Sequence, residues 1–164
     1  MPNGVPAGAA CDAIALAGGT GLLLSFDVTV ALPGGVVADD EDLVLLSAPS
    51  TWSLYLDASN EGVPAALDVD GAYLFANGNL GLSFDGSGQL GGVDFDDEDV
   101  LEDADGGMAW SLAYDGSAED PDWAAADLDA VALPEPGLPL LLGAGVLGLL
   151  ALGRFGRRAT RDSR

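Results

Sequence analysis

The residues best suited to chemistry in this 164-residue chain are carboxylates, which occur in two identical runs. Asp39-Asp40-Glu41-Asp42 returns as Asp96-Asp97-Glu98-Asp99. Calcium takes about six to eight oxygen ligands in flexible geometry, so acids at this density can hold the ion. The candidate metal ligands are the aspartates that occupy equivalent places in the two runs: Asp39, Asp40, Asp42, Asp96, Asp97 and Asp99. Neither run has the spacing of an EF-hand loop, so solvated turns of a very acidic protein are the alternative interpretation.

The residue types that are missing exclude most enzyme chemistry. The chain has no histidine, no lysine, one cysteine and no Gly-x-Ser-x-Gly motif, so most nucleophile and base arrangements are ruled out. Paired carboxylates that act as acid and base, as in glycoside hydrolysis, are still available. We therefore expect a non-enzymatic protein, with a carboxylate-dependent hydrolase as the alternative. A hydrolase would bring carboxylates of perturbed pKa together in one pocket.

Charge is divided sharply along the chain. All five basic residues are arginines within the last eleven positions, and of the 27 acidic residues only Asp162 lies there. Residues 1–153 therefore carry 26 acids and no basic residue. Such a body repels nucleic acid and anionic lipid, because binding to phosphate needs clustered Lys and Arg. We exclude a nucleic-acid partner and expect cations to gather around the fold.

The acidic runs belong to a repeat with a period of 57 to 59 residues, and such self-similarity is typical of stacked structural units. Leu24-Ser25-Phe26-Asp27 recurs as Leu82-Ser83-Phe84-Asp85. Trp52-Ser53-Leu54 recurs as Trp110-Ser111-Leu112. We interpret residues 1–133 as one acidic repeat region.

The repeat region divides into a partial unit over 1–21 and two fuller units over about 22–79 and 80–133. Gly4-Val5-Pro6-Ala7 matches Gly62-Val63-Pro64-Ala65, so the chain opens inside a repeat. We expect an export signal and further repeats upstream.

Four segments of each period are predicted to be strands, and along one period they cover 68–75, 80–85, part of 93–101, and 109–115. Alternation of apolar and polar residues predicts half-buried antiparallel strands, and the glycine-rich breakers between them predict tight turns. The predicted fold class is mostly β. About two blade-like four-stranded antiparallel repeats would form an open β-propeller segment or a small sandwich, followed by one C-terminal transmembrane helix.

Equivalent positions in the repeats also predict the core. Four aromatic residues recur in pairs and are expected to be buried: Phe26, Trp52, Phe84 and Trp110. The single cysteine, Cys11, lies where the repeats place Val69 and Leu128. We expect it to be a small buried hydrophobe.

The C-terminal region has a different character from the body. Residues 134–137 form a Pro-Glu-Pro-Gly breaker, and residues 138–153 are sixteen positions without a charge. A helix of that length spans about 24 Å, short of the hydrocarbon core at about 30 Å, and snorkelling arginines with local bilayer thinning can make up the difference. Residues 154–164 carry the arginines and are predicted to be cytoplasmic. Glycines in the apolar run disfavour a buried helix of the body.

Three features in order carry a family resemblance: Pro134-Glu135-Pro136, the leucine and glycine run over 138–152, and the arginines Arg154, Arg157 and Arg158. They closely resemble the PEP-CTERM sorting signal of Gram-negative bacteria that make exopolysaccharide. The resemblance covers about a fifth of the chain. It implies recognition of Pro134, Glu135 and Pro136 by an exosortase, an integral membrane cysteine protease and transpeptidase that cleaves near the motif. The body is also similar to the Asp-rich Trp-Ser-Leu repeats often found ahead of such signals.

The resemblance implies an exported protein that is held in the inner membrane as a precursor and then reaches the cell surface or the extracellular matrix. Exosortase and exopolysaccharide are the implied partners. The acidic repeats would then interact with cations, calcium among them, with polysaccharide, or with copies of the protein itself. A permanently tail-anchored inner-membrane protein with an exported acidic domain is the alternative to sorting.

Overall fold

Residues before the predicted sorting signal fold into antiparallel β-sheets. The computed structural model describes residues 4–131 except 19, 49, 76, 105–108 and 129. The chain divides into two units, Met1–Val131 and Ala132–Arg164, and the described residues all belong to the first. This part is mostly β, as predicted. The predicted sorting motif, the span over 138–153 and the arginine cluster lie outside the described residues.

The first sheet has the strand order β1-β2-β5-β6, with every neighbouring pair antiparallel. Its strands are β1 Cys11–Ala17, β2 Gly21–Phe26, β5 Leu43–Ala48 and β6 Thr51–Leu56. Between the second and third of these, β3 Val30–Leu32 and β4 Val36–Ala38 form a separate hairpin. A 3₁₀ helix, Ser59–Glu61, follows β6.

The second sheet repeats this plan, with β7, β8, β11 and β12 in place of β1, β2, β5 and β6. Its strands are β7 Val69–Leu74, β8 Leu80–Phe84, β11 Val100–Asp103 and β12 Trp110–Tyr114. Its hairpin consists of β9 Gly88–Leu90 and β10 Val93–Phe95. Two short helices follow β12, α1 Gly116–Glu119 and a 3₁₀ helix Pro121–Ala125. The hairpin turns through Gly91 and Gly92, which both have positive φ, as a two-residue type I′ turn requires.

The four predicted segments all contain strands, with two differences. Strand β9, Gly88–Leu90, lies between predicted segments and was not expected. The segment 93–101 contains two strands, β10 and β11, that belong to different sheets. The acidic residues between them form a turn in which the backbone N–H of Asp99 donates to the carbonyl of Asp96 at 3.1 Å. The two four-stranded sheets begin at Cys11 and Val69.

Each sheet has a front, which we define as the side covered by its own hairpin. In the first unit an apolar cluster joins front residues of the sheet, Phe26 and Trp52 among them, to Val30 and Leu32 of the hairpin. In the second unit Phe84 and Trp110 lie in one cluster with Leu90 of the hairpin. All four predicted core aromatics are buried.

The two sheets stack, with the back of the first against the front of the second. Ala13, Ala15 and Leu23 point to the back of the first sheet, and they belong to the same buried cluster as Leu82 and Trp110 of the second. Strands β2 and β8 are therefore covered on both sides, and β8 is buried at every residue. The expectation of half-buried strands was wrong for these two, because each face of the sheet has its own cover.

The segment after the second sheet continues the same pattern. The N–H of Val69 donates to the carbonyl of Asp40 at 3.4 Å, and the N–H of Leu128 donates to the carbonyl of Asp97 at 3.1 Å. Ser83 Oγ also donates to the carbonyl of Leu128 at 3.1 Å. The chain near Leu128 therefore meets the second sheet as β7 meets the first.

Cys11 is exposed, so the prediction of a buried cysteine was wrong. Its counterpart Val69 is fully buried, because β7 lies against β1 of the preceding sheet. Among the described residues, no earlier sheet packs against Cys11 as the first sheet packs against Val69. Its sulfur donates instead to the carbonyl of Ala13 at 3.2 Å.

Candidate functional site

Six aspartates meet at one end of the stacked sheets. They line an open cleft of about 380 Å³ together with Cys11. The aspartates are Asp12, Asp27, Asp68, Asp70, Asp85 and Asp127. We call this feature the aspartate cleft.

Strand pairing explains why these residues converge. Cys11 is paired with Phe26 across β1 and β2, and Val69 is paired with Phe84 across β7 and β8. An aspartate follows each of these four residues in sequence. Because paired strands are antiparallel, the first residues of one strand and the last residues of its neighbour lie at the same end of the sheet. Stacking of the two sheets then brings both sets together.

Asp27 and Asp85 fasten the strand ends in the same way. Asp27 Oδ1 accepts a hydrogen bond from the N–H of Ala10 at 2.7 Å. Asp85 Oδ1 accepts one from the N–H of Asp68 at 2.8 Å. The backbone N–H groups of both aspartates donate in return to the carbonyls of Ala10 and Asp68. These two carboxylates therefore shape the cleft as well as line it.

Asp70 is the most perturbed carboxyl group of the cleft. Its Oδ1 accepts a hydrogen bond from Ser83 Oγ at 2.7 Å, whereas its buried Oδ2 has no partner within the described part of the chain. Burial raises the pKa of Asp70 to about 7, the Ser83 hydrogen bond opposes the rise, and the charge of Asp127 and a hydrogen bond with its side chain add to it.

Asp68 and Asp12 carry the same signature. Burial raises the pKa of Asp68 to about 6, helped by a hydrogen bond with Asp40 and by the charges of Asp40, Asp85 and Asp12. Burial also raises the pKa of Asp12, with added repulsion from Asp27 and Asp85. Asp12 Oδ2 is buried and no described residue hydrogen-bonds to it. The cleft thus gathers negative charge without a basic residue anywhere in 1–153 to balance it.

Two of the predicted metal ligands have a clear structural role. Asp42 Oδ2 accepts from the N–H of Asp39, and its Oδ1 accepts from the N–H of Ala58, both at 3.0 Å. Asp99 repeats this pair with the N–H groups of Asp96 at 2.9 Å and Gly116 at 3.1 Å. In each unit the carboxylate ties the acidic turn to the segment that follows the last strand of the sheet.

The other predicted ligands are spread out. Asp39 accepts a hydrogen bond from Thr29 Oγ1 at 2.8 Å. Asp40 contacts Asp68 and so borders the aspartate cleft. The structure therefore places Asp40 beside the cleft. Asp42 and Asp99 instead accept backbone hydrogen bonds that hold the acidic turns. Within the described ranges no three acidic, cysteine or histidine side chains are already arranged to hold one metal ion.

Repeated aspartates that line the cleft, among them Asp68, Asp70 and Asp127, can be recognised in the sequence, but their convergence could not be predicted from it. An aspartate closes each Leu-Ser-Phe-Asp run, and Asp-x-Asp opens the first strand of the second sheet. These residues hold equivalent positions at strand ends, and side chains at such positions lie at the same end of a sheet. What the sequence did not show was that the two sheets stack with these edges together.

The cleft also has the feature expected of a carboxylate-dependent hydrolase, namely convergent carboxyl groups of raised pKa in one pocket. Its cysteine is poorly suited to nucleophilic attack. Although Cys11 is exposed as a residue, partial desolvation of its thiol and the charge of Asp12 raise the pKa of that thiol, which disfavours the thiolate that reacts.

Comparisons with known proteins find no significant match among protein-family models, curated proteins or solved structures. Within the described residues there is also no helix whose length and apolar character would let it cross a membrane. The predicted span over 138–153 lies outside those residues.

Proposed function

We propose that the chain is a non-enzymatic, exported repeat protein of the cell surface or extracellular matrix, whose aspartate cleft binds a divalent cation such as calcium. The observation that supports this most directly is the convergence of six carboxylates around buried oxygens of Asp12 and Asp70 that lack a partner among the described residues.

The physical argument begins with the cost of this arrangement. Buried carboxylates need a hydrogen-bond donor or a positive charge, because desolvation disfavours the ionised form. Ser83 donates to Oδ1 of Asp70, whereas the buried Oδ2 has no partner among the described residues. A divalent cation would supply the missing positive charge, and the unpartnered oxygens of Asp12 and Asp70 would become its ligands. Calcium suits this role because its coordination number and geometry are flexible.

The binding mode follows from the spacing of the carboxylates. They surround an open volume of about 380 Å³. Among the described residues, no three acidic, cysteine or histidine side chains are already arranged around the position of one ion. A cation in the cleft would therefore keep part of its water shell or draw the side chains inward. Both modes predict modest affinity, in the range of extracellular calcium modules at about 10⁻⁴ to 10⁻³ M.

Delivery to the surface is the second part of the proposal. The Pro-Glu-Pro motif at 134–136, the apolar run and the arginine cluster support recognition by an exosortase and transient residence in the inner membrane. Exopolysaccharide is the proposed partner outside, since a divalent cation can bridge an acidic protein and an acidic polymer. The finer architecture, blade-like repeats of an open propeller segment or small sandwich with a C-terminal membrane helix, belongs to the same proposal.

Calorimetric titration of calcium into the full chain, held at constant ionic strength, tests the binding step. Asp70→Asn and Asp12→Asn should weaken calcium binding, because each removes the negative charge of a carboxylate that has an unpartnered oxygen. Asp94→Asn is the matched control, since Asp94 is exposed on the second hairpin and accepts a hydrogen bond from Gln89. Equal calcium affinity in all three variants would refute the cleft as the binding site.

A carboxylate-dependent hydrolase is the second candidate, and the raised pKa of Asp70 beside Asp127 favours it. One protonated and one ionised carboxyl group are the pair that glycoside hydrolysis needs. Incubation with bacterial exopolysaccharide, followed by reducing-end analysis, separates the two functions. Release of reducing ends that Asp70→Asn abolishes would support the enzyme, and unchanged polymer supports the binding protein.

A further inference from the structure

A short stretch of chain after the last helix lies against the back of the second sheet. We call it the strap and define it by three residues, Asp127, Leu128 and Val131. The N–H of Leu128 donates to the carbonyl of Asp97 at 3.1 Å, and the carbonyl of Leu128 accepts a hydrogen bond from Ser83 Oγ at 3.1 Å. Val131 lies so close to Gly71 that a Cβ on this glycine would approach the backbone nitrogen of Val131 to 3.1 Å.

The strap is held less firmly than its counterpart at the first sheet. Val69, which corresponds to Leu128, is fully buried in β7, and β7 is paired with β8. Leu128 is only partly buried and Asp127 is exposed. Among the described residues no strand pairs with the strap. Segments with few buried contacts open at a low cost in free energy, so the strap can detach while both sheets stay folded.

Ser83 connects the strap to the aspartate cleft. Its Oγ lies 2.7 Å from Asp70 Oδ1 and 3.1 Å from the carbonyl oxygen of Leu128. A hydroxyl group has one hydrogen to donate, so these two oxygens compete for it. An ionised carboxylate is the stronger acceptor. When Asp70 is charged and has no counter-ion, the carbonyl of Leu128 therefore loses this donor.

The strap also brings a second carboxylate against Asp70. Asp127 lines the cleft together with Asp70, and the two side chains are in contact. Asp70 Oδ2 is buried without a partner in the described part of the chain, and residues 1–153 contain no base to balance the pair. When both groups are ionised, the charge on the strap and the charge on β7 repel each other.

From these contacts we propose that the strap is a calcium-controlled latch: a cation bound between Asp70 and Asp127 holds it on the second sheet, and removal of the cation releases it. The latch rests on the proposed function, because its cation is the one assigned to the aspartate cleft. The cation replaces repulsion by attraction. It also draws charge from Asp70, so that the Ser83 hydroxyl can donate to Leu128. The predicted sorting motif at 134–136 begins three positions after Val131, so calcium would control the length of free chain ahead of that motif.

Amide hydrogen exchange of the full chain tests the latch at a pH of about 8, above the pKa of about 7 for Asp70. In calcium the N–H of Leu128, which donates to Asp97, should exchange at least about tenfold more slowly than in chelator at equal ionic strength, a ratio usual for coupled sites. In chelator it should exchange nearly as fast as an unstructured amide. The N–H of Val69 is the internal reference, because it makes the equivalent bond to Asp40 within a complete strand. It should stay protected in chelator.

Two variants separate the latch from a general effect of charge. Asp127→Asn removes the repulsion and supplies a donor to Asp70, so Leu128 should stay protected in chelator as well. Asp122→Asn is the matched control, because Asp122 is an exposed acid of the preceding 3₁₀ helix that does not line the cleft. It should respond to calcium as the unaltered chain does. A Leu128 amide that exchanges equally in calcium and in chelator would overturn the latch, and so would rapid exchange of Asp127→Asn in chelator.

Calorimetric titration of calcium into the same samples shows which proposal has failed. If calcium binds and the exchange of Leu128 does not change, the latch is wrong and cation binding in the aspartate cleft stands. If calcium does not bind, the proposed function is wrong and the latch is overturned with it.

Discussion

Ser83 Oγ donates a 2.7 Å hydrogen bond to Asp70 Oδ1, while the other oxygen of Asp70 is buried without a partner in the described part of the chain. This half-satisfied carboxyl group lies where the two stacked sheets gather their aspartates. Its protonation therefore links the stability of the fold to the pH of the surroundings.

Stability should fall as the pH rises through the acid range when divalent cations are absent. An aspartate in the unfolded chain ionises at about pH 3.9, whereas the pKa is about 7 for Asp70 and about 6 for Asp68 in the fold. The folded state holds these protons more tightly, so ionisation between those values costs stability that is present at the acid end. Thermal unfolding in chelator should therefore give a higher Tm at about pH 5 than at about pH 8. Asp70→Asn should flatten this slope and Asp94→Asn should leave it unchanged.

Leu45 and Glu102 provide a test of the stacking. They hold equivalent positions on the backs of the two sheets, but Leu45 packs against the cluster between the sheets, while Glu102 accepts a hydrogen bond from Asn79 Nδ2. Leu45→Glu should lower the unfolding free energy by about 1–3 kcal/mol, since it places a charge at an apolar interface. Glu102→Leu should cost less than about 1 kcal/mol, the worth of one hydrogen bond. Denaturant unfolding measures both, and equal losses would contradict the assignment of inner and outer faces.

The turn-capping role of Asp42 and Asp99 can be separated from metal binding. Each accepts two backbone hydrogen bonds, so Asp42→Ala or Asp99→Ala leaves two donors without partners. Each change should cost about 1–3 kcal/mol, in chelator as well as in calcium. Asp96→Ala, at an exposed position in the same turn, should have little effect. If the losses appear only in calcium, these residues are ligands and the capping account is wrong.

Local patterns in the sequence were sufficient to predict most of the strands and the aromatic core. Alternation around Leu80 and Phe84, and the glycines at 91 and 92, act over a few residues and need no partner. The burial of β8 on both sides could not be predicted this way, because the first sheet covers its front and the segment near Leu128 covers its back. The change from Leu45 to Glu102 one period later indicated only that the backs of the two sheets differ. The cleft escaped prediction for the same reason, since it forms only where the two sheets meet.

Sorting predicts a defined end for the mature protein. If an exosortase reads Pro134, Glu135 and Pro136, mass spectrometry of the protein recovered from the cell surface should find a C-terminus near residue 134 and no peptide from 138–164. Replacement of Glu135 by alanine should reduce processing and retain the precursor in the inner membrane. An intact Arg164 in the membrane fraction of the unaltered protein would support permanent tail anchoring instead.

Thermal unfolding in calcium, at a pH of about 8, above the pKa of about 7 for Asp70, tests the central claim most directly. A ligand bound only to the native state adds about 2.7 kcal/mol of stability at a hundred times its Kd. Calcium should therefore raise the Tm well above the value in sodium chloride of equal ionic strength, and Asp70→Asn should remove most of that rise while Asp94→Asn keeps it. The same Tm in calcium and in sodium, or a rise that Asp70→Asn does not reduce, would contradict cation binding in the aspartate cleft.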